Sequence, residues 1–362
     1  MGRAGPVDPR GAGKPCLPLF VDLLDGGRTA HYAPRAGRAV TDPVPWSAGR
    51  ILHQGVLCYL AVRTGSGPHL TPVVYVFDGG RVWLTTSRRS VKARTWKQDR
   101  VVGGLVRAGA QSVTFRGRVR TYDAIDPLTW PAATVGGPWL IRAATRFTFK
   151  NARFFAGYAV DAGRVPLAWS PAGRVFARVG LADGWVVSDD GVVEGWGEDG
   201  IPGARFRRSF QALSRARGID LGAPAKIRRA LGASGTGAMV LQPEDREPLV
   251  LPVRWRRVAA EGAFDAVVPR GLAELSGAGP EVPAALTLDH ASAWRASDMS
   301  GMVVRGTAAL YALGEARRGA AELRERIRLA GTAEDAVEDA ALIRLRPSRV
   351  VWWRGWTSGT AA

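Results

Sequence analysis

The feature that most constrains this chain is an internal repeat with a spacing of about 180 residues. Pro68 and Pro72 recur as Pro248 and Pro252 inside two apolar stretches of similar pattern. A short helical pattern precedes each stretch, AGRILHQG in the first half and PAKIRRALG in the second. Further along, FRGRVRTY is echoed by VRGTAALY, and SPAGRVFARVG is echoed by RPSRVVWWRG. Four pairs in the same order predict two tandem copies of one domain.

Each copy has the pattern of a small antiparallel β-structure. In the first copy, VLCYLAV and PHLTPVVYVF are rich in β-branched and aromatic residues, and Asp78-Gly79-Gly80 marks a hairpin turn. SVKARTWKQD predicts a short helix with Ser90 as its N-cap. LIRAATRFTFKNARFFAGYAV indicates further helix, and GRVFARVGL indicates a closing strand. The predicted fold class is mainly β with accessory helices (α+β).

The predicted organisation has four parts. Residues 1–42 are rich in Gly, Pro and Arg and predict a flexible lead. Residues 43–187 form the first copy and 223–362 the second. Between them, 188–222 is assigned to a linker, acidic at first and then carrying a basic amphipathic helix, ARFRRSFQALSRARG.

Composition bounds the class of protein. The chain has 362 residues, of which 46% are hydrophobic and 23% charged, as is typical of globular proteins. No apolar run is long enough to predict a membrane span, and no signal peptide precedes the lead, so a cytoplasmic protein is expected. Two cysteines, Cys16 and Cys58, and four scattered histidines predict neither a disulfide framework nor a metal site.

The net charge of +18 comes almost entirely from arginine. Such a charge suits a polyanion partner, but the arginines are spread along the chain, as an Arg/Ala/Gly-rich composition would give. We therefore do not predict nucleic acid as a partner. A small phosphate-bearing ligand fits the same charge.

Residues 85–94 concentrate groups that bind anions. Thr85, Thr86 and Ser87 supply hydroxyls, Ser90 opens a helix, and Lys92 lies in its first turn. Together they suit a phosphate monoester. A Ser-capped basic surface helix has the same pattern, so the segment alone does not decide between the two.

The order of motifs across this region resembles the flavin-binding segment of the pyridoxamine 5′-phosphate oxidase-like superfamily. The motifs are, in order, a Pro-led strand, a strand ending in Thr, Ser-x-Lys opening a helix, an Asp-x-Val strand start and a strand ending near Gly. In the same order, the segments of this chain are Pro68 to Val76, Val82 to Thr86, Ser90 to Lys92, Asp99 to Val101 and Gln111 to Gly117. The resemblance extends over about 75 residues and fades after Tyr122.

The resemblance implies a fold and a site. The fold would be two tandem split β-barrels of the antiparallel Greek-key type. The cofactor would be FMN, with a deazaflavin coenzyme as the alternative and haem as a third option. The implied cofactor-binding residues are Thr71, Val73 and Val74 along the ring, Thr85, Thr86, Ser90 and Lys92 at the phosphate, and Gln111 near the ring.

The second copy departs from the pattern. Aligning FDAVVPRGLAEL with VWLTTSRRSVKA replaces the Thr pair by Ala266 and Val267, and places Gly271 and Ala273 near the positions of Ser90 and Lys92. Because family barrels pair with the flavin between them, we expect an intramolecular pseudo-dimer with one surviving site. Association of two such chains into a homodimer is left open.

The expected function is a flavin- or deazaflavin-dependent oxidoreductase acting on a small molecule. The substrate-binding Arg/His signature of the true oxidases is not recognisable near the C-terminus, so pyridoxamine-phosphate oxidation itself is not implied. The alternative is a non-catalytic flavin or haem binder, or a barrel without cofactor that acts in interaction or sequestration. Trp352, Trp353 and Trp356 are assigned to the second core, with stacking on a flavin as the other interpretation.

Overall fold

The computed structural model describes residues 43–123, 126, 130–160, 173–189, 191–197, 204–211, 223–244, 246–290, 298–355 and 357–361. The predicted lead and Trp356 lie outside the described residues. No helix among the described residues is long and apolar enough to cross a membrane.

The first half forms a closed antiparallel barrel. Its elements are α1 (Trp46–Gln54), β1 (Leu57–Thr64), β2 (Gly67–Asp78), β3 (Arg81–Ser87), α2 (Val91–Thr95), β4 (Val101–Ala108), β5 (Gln111–Tyr122), α3 (Trp130–Val135), α4 (Gly137–Lys150), α5 (Ala152–Val160), β6 (Arg174–Ser188) and β7 (Gly191–Trp196). The strand order is β3-β2-β1-β4-β5-β6-β7, and β3 also pairs with β6, which closes six strands into a barrel. The fourth strand returns beside the first, as in a Greek key.

The second half repeats this arrangement. Its elements are α6 (Ala225–Leu231), β8 (Ser234–Leu241), β9 (Leu249–Val258), β10 (Ala263–Pro269), α7 (Arg270–Leu275), β11 (Glu281–His290), β12 (Ser300–Ala312), α8 (Ala320–Leu329), β13 (Ala340–Arg354) and β14 (Thr357–Ala361). The order is β10-β9-β8-β11-β12-β13-β14, with β10 closing on β13. The predicted fold class, two tandem split barrels, is confirmed.

Strand pairing gives the residue-by-residue match between the copies. Both β5 and β12 carry a bulge at an Arg-Gly pair, Arg116-Gly117 and Arg305-Gly306. A side chain at either glycine would overlap a carbonyl oxygen of the neighbouring strand, which explains why the echo FRGRVRTY/VRGTAALY keeps this glycine.

One of the four sequence pairs is out of register. The pairing of β5 with β6 and of β12 with β13 matches Arg174 with Ala340, so RVVWWR corresponds to residues 183–188 and not to the start of β6. Continuous apolar strands lack turn residues that would fix their alignment.

Two stretches assigned to the linker behave differently from the prediction. Residues 191–196 form strand β7, which pairs with β6 and extends the first sheet. Residues 204–211 are not helical, and Ser209 instead bridges to Arg318. The rest of the predicted amphipathic helix lies outside the described residues. Phe206 and Phe210, whose spacing predicted one face of a helix, instead pack from an extended segment.

The two barrels pack against each other through an apolar junction. Its buried residues are Tyr59, Ala61, Leu70 and Leu105 from the first barrel and Ala238, Val240, Val250, Ala285 and Val303 from the second. Each bulge arginine also reaches the other barrel. Arg116 Nη2 donates to the carbonyl of Leu275 at 2.9 Å, and Arg305 Nη2 donates to that of Ser66 at 2.9 Å. The two barrels of the chain are therefore in direct contact.

Helices cover the outer side of the closing strands in both barrels. In the first, Ala143 and Phe147 of α4 pack on Val76 and Trp83. In the second, α8 and Phe210 cover β10, β12 and β13.

Beneath Phe210 lies a buried ion pair. Arg344 and Asp265 are each 1% exposed. Arg344 Nε and Nη2 donate to the two carboxylate oxygens of Asp265 at 2.8 and 3.0 Å, and Nη1 donates to Glu261 at 2.8 Å. All three donor groups of this guanidinium are therefore used, which is what makes its burial tolerable.

Candidate functional site

Four of the eight predicted site residues come together at the start of α2. The Ser90 hydroxyl accepts a hydrogen bond from the Ala93 amide at 3.1 Å, as expected of an N-cap, and another from Thr86 Oγ1 at 3.1 Å. Lys92 Nζ donates to Thr71 Oγ1. We call Thr71, Thr86, Ser90 and Lys92 the polar cluster.

The polar cluster faces the interior of the first barrel. Thr71 is paired with Leu60, and Thr86 shares the side of β3 that carries Leu84, and both leucines belong to the core. Thr86, Ser90 and Lys92 are only 6%, 2% and 5% exposed. Burying hydroxyl and ammonium groups is costly unless they are hydrogen-bonded. The contacts above supply such bonds, and they occupy a part of the core that could otherwise be apolar.

The other four predicted residues are not all directed to the same place. Val73 faces the interior with Thr71, but Val74 points outward and packs on α4. Thr85 also points outward, where its hydroxyl accepts from Arg174 Nε at 3.0 Å. Gln111 lies at the β4–β5 hairpin and accepts from Arg50 of α1 at 3.3 Å. Alternation along β2 and β3 separates these neighbours in sequence.

The second barrel has no counterpart of the polar cluster. The register matches Thr71 with Leu251 and Thr86 with Val268, and both replacements belong to the second core. Thr85 corresponds to Val267, so the Thr pair becomes Val267 and Val268, one position later than the sequence alignment placed it. The barrel fold thus forms without hydroxyls or an ammonium at this position.

The polar cluster suits a phosphate better than a flat ring. One ammonium and three hydroxyls are the donor types that hold a phosphate monoester. Lys92 would have to exchange its bond to Thr71 for the ligand. On the outer side of β2, however, Leu140, Ala143 and Phe147 of the α3–α4 region pack around Val74, where a ring would lie.

A residue that the sequence did not indicate is Lys150, the last residue of α4. Its Nζ is buried without a hydrogen-bond partner among the described residues and lies 3.8 Å from the ring centroid of Tyr75. Burial lowers the pKa of Lys150 from 10.5 to about 8. Nothing in the sequence pattern of α4 separates this lysine from a surface one.

We expect Lys150→Met to raise the thermal midpoint at pH 7. The folded pKa lies below the unfolded one, so a buried charge destabilises the fold below pH 8, and this cost disappears as the pH rises from about 8 toward 10.5. The gain should be about 1–2 kcal/mol at pH 7, since the site is partly solvated. Thermal unfolding of both proteins at pH 7 and 9.5 measures it. An equal gap at the two pH values would contradict the assignment.

The junction holds a second buried polar group. The Tyr59 hydroxyl donates to both carboxylate oxygens of Asp289, at 3.0 and 3.2 Å, across the two barrels. Burial raises the pKa of the Asp289 carboxyl. Asp289 borders a small open cleft with Thr236, Trp255 and Leu288. No local sequence pattern indicates this hydrogen-bonded pair, because its two residues belong to different copies.

Two of the three C-terminal tryptophans lie among the described residues. Trp352 contacts the second core and Trp353 contacts the junction. Among the described residues, no group of three or more His, Cys, Asp or Glu side chains could hold a metal ion.

Comparison with known proteins gives one family. Residues 47–142, from α1 into α4, match the family model described as pyridoxamine 5′-phosphate oxidase. No curated protein matches the chain.

Solved structures of similar fold include three of interest. A pyridoxamine 5′-phosphate oxidase-related, FMN binding protein from Nostoc punctiforme is 16% identical, covering 40% of this chain and 80% of its own, with a TM-score of 0.30. General Stress Protein 26 from Bacillus anthracis is 11% identical, covering 42% and 95%, with a TM-score of 0.29. An F420 reductase is 19% identical, covering 39% and 98%, with a TM-score of 0.26.

These structural scores are too low to carry an argument, so the assignment depends on the matched segment and on the split barrel that contains it. The segment contains the complete strands β1 to β5, the complete helices α2 and α3, and the whole polar cluster. Over residues 47–142 of its first barrel, the chain is similar to the pyridoxamine 5′-phosphate oxidase family.

Proposed function

We propose that the first barrel binds a flavin-type cofactor, FMN or a deazaflavin, and that the protein is an oxidoreductase acting on a small molecule in the cytoplasm. The observation that carries this proposal is the polar cluster inside the family-matched segment. The second barrel builds the same fold with Leu251 and Val268, so barrel stability does not account for buried hydroxyls and an ammonium in the first.

Each chain would hold one cofactor, with the phosphate near Lys92, Ser90, Thr86 and Thr71. When bound, the cofactor would supply the hydride or electron transfer, and the protein supplies its position and electrostatics. We assign no acid or base to the chain. Thr85 and Gln111 stay as proposed contacts that require side-chain or helix movement to reach the same ligand.

Lys92→Met tests the site. Removing a charged hydrogen bond to phosphate should weaken FMN or F420 binding by about 1.5–3 kcal/mol, roughly a 10- to 100-fold rise in Kd. Fluorescence titration measures the Kd, and Lys97→Met, at an exposed position just after α2, is the matched control. Equal affinity in the Lys92 and Lys97 variants would remove the site assignment. Two flavins per chain would contradict the single-site proposal.

A second candidate function is a barrel that binds no flavin and acts in interaction or sequestration. The packing of α4 over Val74 favours it, as does the mutual satisfaction of the polar cluster. Purified protein that neither carries nor takes up FMN, F420 or haem, judged by its absorption spectrum after titration, would select this alternative.

A further inference from the structure

The outer side of the first barrel carries four arginines around a glycine. Arg81 is paired with Gly180, and one row along, Arg178 is paired with both Trp83 and Arg120. Residues paired across strands point to the same side of a sheet, and so do residues two apart on one strand. Arg81, Arg118, Arg120 and Arg178 therefore share one face with Gly180. We call Arg81, Arg120 and Arg178 on this side the arginine face.

One carboxylate lies on this face, because Asp78 is paired with Arg81 across the β2–β3 hairpin, and it forms ion pairs with Arg142 and Arg146 of α4. Arg81 and Arg120 are exposed and Arg178 half-buried, and none of the three makes an ion pair with a described residue. The Arg178 guanidinium lies 5.9 Å from the Trp83 ring centroid. Burial lowers the pKa of Arg178, and the charges of Arg81 and Arg120 lower it further. Like charges directly opposite on a sheet are destabilising.

The second barrel provides an internal comparison. The shared register matches Arg81 with Ala263 and Arg120 with Ala309, which are both uncharged. Arg178 corresponds to Arg344, whose charge is met by Asp265 where the first barrel has Trp83. The fold therefore does not require unbalanced arginines at these positions.

Gly180 leaves room between the guanidinium groups. A Cβ added there would meet only the Arg118 carbonyl, at 4.0 Å, so the space above it is open. Its counterpart in the second barrel is Arg346, which forms an ion pair with Glu281 at 3.5 Å. The first barrel thus combines cations with a gap at Gly180, whereas the arginines at the matching positions of the second barrel are paired with carboxylates.

We propose that the arginine face binds a di- or triphosphate group. The three residues extend over two neighbouring rows and three strands, roughly 7 Å by 10 Å, which suits a compact polyphosphate. Guanidinium forks donate in pairs to phosphate oxygens, and Trp83 is buried, so no ring is offered for base stacking. The ligand is recognised by its phosphates, whether free or part of a nucleotide.

Isothermal titration with pyrophosphate, ADP and a single-stranded oligonucleotide tests the proposal. Pyrophosphate should bind, and the double variant Arg120→Gln/Arg178→Gln should lose at least about tenfold in affinity, on the scale of charged hydrogen bonds. The control, Arg229→Gln/Arg317→Gln, removes the same charge from exposed positions in the second half and should bind as the parent does. ADP binding tighter than pyrophosphate would identify a nucleotide source, and equal binding a free polyphosphate.

Three results would overturn the proposal. They are no pyrophosphate binding, equal losses in the test and control variants, and oligonucleotide binding without pyrophosphate binding. The flavin proposal is separate, because Lys92→Met should leave pyrophosphate binding at the arginine face unchanged. Thermal midpoints within a few degrees of the parent would show that the glutamine variants are folded.

Discussion

Asp265→Ala should lower the free energy of unfolding by about 3–5 kcal/mol, because it leaves a buried guanidinium without its bidentate partner. Arg344 is 1% exposed. Glu261 would hold one of its donors, and Phe210 covers the rest, with its ring centroid 4.8 Å from the guanidinium carbon. Chemical denaturation followed by tryptophan fluorescence measures the loss.

The matched control is Glu338→Ala, which removes the partner of Arg324 in an exposed ion pair. We expect a change of about 0–1 kcal/mol there. Replacing the buried pair together, Asp265→Leu with Arg344→Met, should recover most of the stability, since no guanidinium is then buried without a partner and Glu261 keeps its ion pair with Arg326. If Asp265→Ala and Glu338→Ala cost the same, Arg344 finds water and the burial argument fails.

Gly103→Ala should weaken the packing of the two barrels by about 1–3 kcal/mol, the usual cost of overfilling a packed interface. A Cβ on Gly103 of β4 would overlap the carbonyl oxygen of Pro248 in the second barrel and approach Val250 Cγ2 to 3.4 Å. The two backbones must separate to accept even one methyl group. A lower thermal midpoint and faster proteolysis between the barrels are the expected readouts.

Gly271→Ala provides the comparison for the same chemical change. This glycine lies in α7 with nothing within 4 Å of an added Cβ, so alanine should be neutral or stabilising by about 0.5–1 kcal/mol. Loss of stability at both positions would show that the effect is not one of contact across the junction.

The repeat was predictable from sequence because proline and glycine residues recur at matching positions of both copies. Pro72 and Pro252 occupy matching positions of β2 and β9, and the Arg-Gly bulges match in β5 and β12. The C-terminal pair, SPAGRVFARVG with RPSRVVWWRG, was aligned wrongly. Strands β6 and β13 contain apolar runs without a turn that would fix their alignment. Strand β7 was missed because its residues are largely exposed and turn-rich.

The site was predictable only in part. The Ser90 cap and its neighbour Lys92 follow from local pattern, and Thr86 joins them in space. Thr85 and Val74 were grouped with them through the family resemblance, whereas strand alternation directs both to the opposite side. That α4 covers Val74 depends on how a helix docks on a distant strand, which no local pattern encodes.

Fusion of the two barrels has a consequence for how the molecule responds to dilution. Partners on separate chains dissociate as protein concentration falls, and their melting temperature falls with it. Here the partner barrel is tethered at a fixed effective concentration, so the junction around Leu70 and Val250 stays formed at any dilution. Each copy is also free to change alone, and at one matching position Arg178 of the first lies over Trp83, whereas Arg344 of the second is neutralised by Asp265.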